Sequence, residues 1–159
     1  MSDNPFWDFS LDLYRRPGIA PACLALQDEA GADVNLVLYL LWCAATDRSL
    51  DAAAVRAADA GIAPWRGAVV EPLRAVRRAL KAEPLARLGS EAYRERIKAV
   101  ELEAERLVQE ALFAGAPEPG PALDRGRAAR DHLGHYAGLL GRPLPQEALS
   151  VLLDGLARS

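Results

Sequence analysis

A group of polar residues interrupts the apolar first half of the chain, and it is the place where chemistry is most expected. Gln27 and Asp28 precede the turn at Gly31, and Asp33 and Asn35 follow it, directly before ten apolar residues at 36–45. A buried polar group without a partner costs about 1–3 kcal/mol, so these side chains must find partners in the fold.

Two interpretations of this group remain open. Asp33 precedes a helix and can accept its first backbone N–H bonds, while the two amides tie chain ends together, which is the simpler interpretation. The alternative is a ligand pocket with Arg74 or Arg77 as counter-charge, lined by Gln27, Asp33, Asn35, Trp65 and Arg74. Acid–base chemistry at Asp33 would need a shifted pKa, which no sequence shows, so no catalytic residue is assigned.

A basic segment and an acidic one follow each other in the second half of the chain. The basic residues are Arg66, Arg74, Arg77, Arg78 and Lys81, and the acidic ones are Glu91, Glu95, Glu101, Glu103, Glu105 and Glu110. The basic segment could bind a phosphate or an anionic partner, but antiparallel packing of the two would neutralise both. We favour this intramolecular pairing and keep Arg77 and Arg78 as a candidate interaction surface.

Trp7 completes that candidate surface. Seven of the ten aromatic residues precede Arg66, and the N-terminal segment is especially rich in rings. Most of them are expected in the core. Because Trp and Tyr dominate interface hot spots, the first helix is also a candidate docking element.

The sequence predicts neither a metal site nor a cofactor. His132 and His135 lie three residues apart on a predicted helix, but zinc needs three or four ligands. A surface histidine pair is therefore the favoured interpretation. Cys23 and Cys43 lie in apolar helical stretches, which is typical of buried thiols in a reducing compartment. The usual nucleotide-binding, hydrolase and metalloprotease motifs are missing, which favours a non-enzyme.

Composition restricts the class of protein further. The chain has 159 residues with a net charge of −3, and hydrophobic residues make up 51% of it, which suits a globular domain without nucleic acid as a partner. No signal peptide or membrane span is recognised, so we expect a cytoplasmic protein without membrane contact. A protein partner or a homo-oligomer is expected instead.

Alanine and leucine dominate and period-two alternation is missing, which predicts an all-α fold. We expect a compact bundle of about six helices in residues 1–114 around a buried central helix at 34–45. A Pro/Gly linker at 115–121 and a C-terminal helical hairpin at 122–159, packed on the core, would follow. Ser49 is expected to cap a helix that Gly61 ends, and Pro64 to open another that Pro72 kinks.

Several short motifs resemble a known bacterial family. They are Phe-Trp-Asp-Phe-Ser at 6–10, Cys-Leu-Ala-Leu-Gln-Asp at 23–28, Gly-Ala-Asp-Val-Asn at 31–35 and Pro-Trp-Arg at 64–66. The chain resembles, from about Phe6 to Leu112, a family of short conserved hypothetical proteins classed as a domain of unknown function. This resemblance implies no activity and no catalytic residues. The leading hypothesis is a non-catalytic interaction or accessory module. The alternative is a small-molecule-binding protein or an unrecognised enzyme with a polar pocket between helices.

Overall fold

The computed structural model describes residues 3–82, 85 and 88–159, which contain helices and no strand, so the all-α prediction is confirmed. Along the chain the helices are α1 (Pro5–Tyr14), α2 (Ile19–Ala30), α3 (Val34–Ala45), α4 (Ala52–Trp65), α5 (Glu71–Lys81), α6 (Ser90–Ala114), α7 (Arg125–Leu140) and α8 (Gln146–Ala157), with a π-helical turn (Arg66–Val70) between α4 and α5.

Helix α3 forms the centre of the bundle, as the apolar run predicts. All residues from 36 to 44 are buried, and α1, α2, α6 and α7 pack around the helix. Trp42 lies with its ring centroid 5.5 Å from that of Phe6 and 5.7 Å from that of Phe113. A helix that is apolar all round is stable only when neighbours cover every face, and here they do.

The region from residue 51 to 81 differs from its prediction. Asp51, and not Ser49, caps α4 by accepting the Ala54 N–H at 2.8 Å. The helix does not end at Gly61, and Pro64 lies inside α4 instead of opening a new helix. The backbone widens into the π turn, where the N–H of Glu71 bonds to the carbonyl of Arg66, and continues as α5. The two prolines flank this turn, with Pro64 inside α4 and Pro72 in the first turn of α5, where a missing N–H is tolerated.

Helices α5 and α6 form a hairpin that extends beyond the core. No residue of α5 is buried, and in α6 the first buried residue is Glu101. The remainder of α6 packs on α1, α3 and α4. One half of a single long helix therefore belongs to the core, while the other half is supported by α5.

The C-terminal helices pack against the rest of the bundle. Helix α7 contacts α3 and α4, and α8 contacts α2. Helix α7 begins at Arg125, later than residue 122, because Asp124 caps it by accepting the Arg127 N–H at 2.9 Å. The division into domains at 114 and 121 stays a prediction. None of the described helices combines the length and apolarity that crossing a membrane requires.

Candidate functional site

Asp33 has two roles at once at the start of α3. Its Oδ1 accepts the backbone N–H of Asn35 at 2.9 Å and of Leu36 at 3.4 Å, which is the predicted cap. Its Oδ2 accepts a bond from Arg66 Nε at 2.7 Å. The carboxylate therefore joins the end of α3 to the π turn.

Arg66, and not Arg74 or Arg77, is the counter-charge of Asp33. Its second guanidinium nitrogen donates to Asp59 Oδ1 at 2.6 Å, so one arginine bridges two carboxylates. Burial lowers the pKa of Arg66, but the hydrogen bonds and charges of Asp33 and Asp59 more than offset this effect and raise it. The guanidinium stays charged and fixes the π turn against α3.

Arg74 and Arg77 are paired with glutamates of α6. Arg74 contacts Glu105 Oε1 at 3.1 Å and Glu101 Oε1 at 3.5 Å, while Arg77 binds Glu101 through both its Nε and a terminal nitrogen. Glu101 is only 6% exposed. The basic and acidic segments therefore pair in part, through Arg74 and Arg77, as the favoured interpretation proposed. Arg78 lies exposed on α5.

A cavity of about 220 Å³ lies between α1, α3 and α6, and it holds the most unusual polar groups of the structure. Gln109 donates from Nε2 to Asn35 Oδ1 at 3.0 Å, but its Oε1 is buried without a hydrogen-bond partner among the described residues. Ser10 Oγ is also buried without a hydrogen-bond partner among the described residues, and Ser10 lines the same cavity. The two residues are 2% and 4% exposed, so bulk water does not solvate them.

A second cavity of about 140 Å³ adjoins the first. Gln27, Asn35 and Arg74 line both cavities, and Asp33 and Arg66 line the second alone. The structure therefore brings together four of the five residues predicted for a pocket. We refer to the two cavities together as the polar cavity.

The remaining predicted residues lie at different places. Trp65 is not a wall of the polar cavity, because its indole N–H donates to the Ala104 carbonyl at 3.0 Å and its ring lines a groove on the other side of α6, beside Leu107. Trp7 is half-buried and lines the polar cavity, with the guanidinium of Arg106 5.8 Å from its ring centroid.

The charges around the polar cavity sum to a negative value. The charged residues that line the cavity are three carboxylates (Asp33, Glu71 and Glu105) and two arginines (Arg66 and Arg74), which leaves one negative charge. Burial raises the pKa of Glu105, and the charge and hydrogen bond of Arg74 oppose that effect only in part. Every one of these arginines already has a carboxylate, so the cavity is poorly suited to an anion.

His132 is a structural residue, which corrects the prediction of a surface histidine pair. It is 2% exposed, with Nδ1 3.0 Å from the Leu40 carbonyl, and its Nε2 accepts the Leu50 N–H at 3.0 Å. The proton is therefore on Nδ1. Burial lowers the pKa of His132, so the neutral ring is favoured. Among the described residues no three His, Cys, Asp or Glu side chains gather as metal ligands.

The two thiols lie outside the polar cavity. Burial raises the pKa of both Cys23 and Cys43 to about 12, so neither is a thiolate at neutral pH. A thiol nucleophile needs a lowered pKa.

A larger groove, of about 600 Å³, runs between α4 and the end of α6. Its walls are mainly alanine, glycine and aliphatic side chains, and its one carboxylate, Asp51, already caps α4. It is larger than the polar cavity but offers fewer groups for recognition.

Ser10, Glu105 and Gln109 are among the residues of the polar cavity that sequence reasoning missed. A signal for two of them was present, since Glu101, Glu105 and Gln109 follow each other at intervals of four residues and so lie on one face of α6. Polar residues on a face that is otherwise apolar indicate a buried network. Nothing local marked Ser10.

The profile of the family described as "Protein of unknown function (DUF2390)" matches residues 5–112. The chain belongs to this family. The DUF2390 segment extends from the first residue of α1 to near the end of α6, so all residues that line the polar cavity lie inside it. A search of curated proteins and a search of solved structures each found no match.

Proposed function

We propose that this DUF2390 protein is a binding protein, and that the polar cavity holds a small molecule with an N–H donor group. The observation that carries the proposal is that Ser10 and Gln109 line one cavity and each has a buried oxygen, Oγ and Oε1, without a hydrogen-bond partner among the described residues. Such atoms cost free energy in the unliganded protein, and a ligand that supplies the missing hydrogen bonds recovers it.

The chemistry of the cavity restricts the ligand. The Gln109 carbonyl oxygen only accepts, so its partner must donate, and an N–H or O–H group is required. The surplus carboxylate favours a neutral or positive group over an anion. A primary amine or a carboxamide has both properties.

The dimensions of the cavity restrict the ligand as well. A volume of 220 Å³ corresponds to about seven water molecules at about 30 Å³ each. Leu38 and the half-exposed Leu102 supply apolar walls beside the polar atoms. We therefore expect a short aliphatic chain that ends in the nitrogen group. The two free, buried cysteines are compatible with a cytoplasmic location, which is part of the proposal.

The test uses three probes of four or five heavy atoms: propionamide, propylammonium and propionate. Their binding is followed by chemical-shift changes at the side-chain amide of Gln109 and the backbone of α1. We expect propionamide or propylammonium to saturate these shifts at millimolar concentration, since a ligand of this size gains at most about 1.5 kcal/mol per atom. Propionate should not saturate them. Saturation by propionate alone, or by none of the three, would overturn the proposal.

Two serine variants provide the control. Ser10→Ala removes a hydroxyl of a residue that lines the cavity and should weaken binding about fivefold, because one hydrogen bond is worth about 1 kcal/mol. Ser90→Ala removes a hydroxyl that is also buried without a partner in the described chain but lies at the start of α6, away from the cavity. It should leave the affinity unchanged.

A further inference from the structure

One face of α6 carries apolar residues that no part of the described chain covers. Tyr93, Val100 and Leu107 are 48%, 48% and 51% exposed and lie seven residues apart, so they form one row along the helix. Trp65, 39% exposed, extends the row, since it lines the same groove as Leu107. We call these four residues the α6 row.

Three charged residues interrupt the row, and one of them, Glu110, lies three residues after Leu107 and is paired with Arg106 at 4.0 Å. Arg96 lies three residues after Tyr93, and Glu103 lies three residues after Val100, so both share the face of the row. Arg96 lies 5.8 Å from the ring centroid of Tyr93, and neither Arg96 nor Glu103 forms an ion pair within the described chain. Both are exposed.

We propose that the α6 row is a homodimer interface, in which α6 packs antiparallel against α6 of a second copy. A two-fold axis at Val100 places each Val100 against its counterpart and Tyr93 of one copy against Leu107 of the other. Arg96 of each copy then lies beside Glu103 of the other copy. The surface is complementary to itself, as a two-fold interface requires.

The charge pattern selects this arrangement over its alternatives. A parallel pair would place Arg96 against Arg96 and Glu103 against Glu103, and like charges in contact are repulsive. An unrelated partner would explain the apolar row but not the symmetric placement of one positive and one negative charge around Val100.

The position of α6 in the fold allows the contact. Its first eleven residues are not buried, and 25 residues span about 37 Å, so the row is long enough for a second helix to lie against it. The polar cavity opens on the side of α6 that carries Leu102 and Glu105, so the dimer leaves that cavity accessible. This proposal is independent of the proposed function.

The first test is the mass of the full chain in solution by sedimentation equilibrium, with Val100→Arg as the variant. We expect a concentration-dependent dimer for the unaltered protein and a monomer for Val100→Arg, which places two like charges on the axis. Leu24→Arg, at a residue 51% exposed on α2, is the matched control and should remain dimeric. A monomer at every concentration for the unaltered protein would overturn the proposal.

A charge exchange tests the register of the two helices. Arg96→Glu and Glu103→Arg should each raise the dissociation constant about tenfold, and the double variant should restore it, because the pair is re-formed with its signs reversed. Additive weakening in the double variant would show that these residues do not face each other.

Disulfide trapping tests the direction of packing. Val100→Cys should form a covalent dimer with itself on oxidation, and Tyr93→Cys should do so only when mixed with Leu107→Cys. Covalent dimers of Tyr93→Cys alone would indicate parallel packing and contradict the proposal. The native thiols are buried and do not compete.

Discussion

Replacement of Asp33 by asparagine separates the two roles of this side chain. Asparagine caps a helix about as well as aspartate, so the bonds to the N–H groups of Asn35 and Leu36 survive. The charge opposite Arg66 is lost. Because Asp33 and Arg66 are 10% and 23% exposed, this bond is protected from water, unlike a surface ion pair.

The magnitude depends on the bonds that are lost. A hydrogen bond to a charged partner contributes about 1.5–3 kcal/mol, and Arg66 keeps its bond to Asp59, so we expect Asp33→Asn to lower the free energy of unfolding by about 2 kcal/mol. Asp33→Ala also removes the cap and should lower it by about 3 kcal/mol. The difference of about 1 kcal/mol isolates the cap.

Urea unfolding measures these changes. With a slope of about 2 kcal/mol per molar, Asp33→Asn should lower the midpoint by about 1 M. Asp51→Asn is the matched control, since Asp51 caps α4 through the Ala54 N–H and forms no ion pair within the described chain. It should cost less than about 0.5 kcal/mol. Equal losses for the two variants would show that Arg66 adds nothing and that Asp33 only caps.

Three further predictions concern residues outside this pair. Ser10→Ala should raise the free energy of unfolding by about 1 kcal/mol, because it removes a buried hydroxyl without a partner and alanine favours the helix. Thr46→Val removes a hydroxyl bonded at 2.7 Å and should lower it, and a loss of stability in both variants on urea unfolding would contradict this reasoning. The neutral form of His132 is favoured in the folded state, so below pH 6.5 the unfolded chain binds the extra proton and the free energy of unfolding should fall by up to about 1.4 kcal/mol per pH unit. Thermal unfolding between pH 5 and 7 should show that His132→Gln removes this pH dependence and that His135→Gln does not. Gly31→Ala should cost about 1 kcal/mol, since Gly31 has φ +69° at the end of α2, and Gly31→Asn should cost less; equal melting temperatures for Gly31→Ala and the unaltered protein would refute this.

Much of the fold is predictable from local pattern. The ten apolar residues at 36–45 have no polar face, so their helix must be covered on all sides, and α3 is. Ser90–Ala114 forms one helix as its periodicity predicts. The region from Pro64 to Pro72 is not predictable in this way, because a π turn lies between the two prolines and its stability depends on what surrounds it.

Within the candidate site, the sequence determined what a side chain can do with its own backbone neighbours. The Asp33 cap depends on N–H groups two and three residues away, which any helix starting there supplies. The partner of the second carboxylate oxygen was decided by the tertiary structure. One extra residue in a helical turn rotates the rest of the helix by about 100°, and helix packing, not the local sequence, selects which arginine faces Asp33.

The polar cavity likewise depends partly on the local sequence and partly on the tertiary structure. Gln27, Asn35 and Arg74 were recognisable as polar groups near apolar helices, but Ser10 and Gln109 belong to helices at opposite ends of the DUF2390 segment. Whether two such atoms meet a partner or face a cavity depends on how α1 and α6 pack on α3. The sequence by itself therefore determined the helices, the buried centre and the cap, because these depend on contacts within a few residues. The tertiary structure alone decided which buried polar atoms are left for a ligand, because that depends on the packing of distant segments.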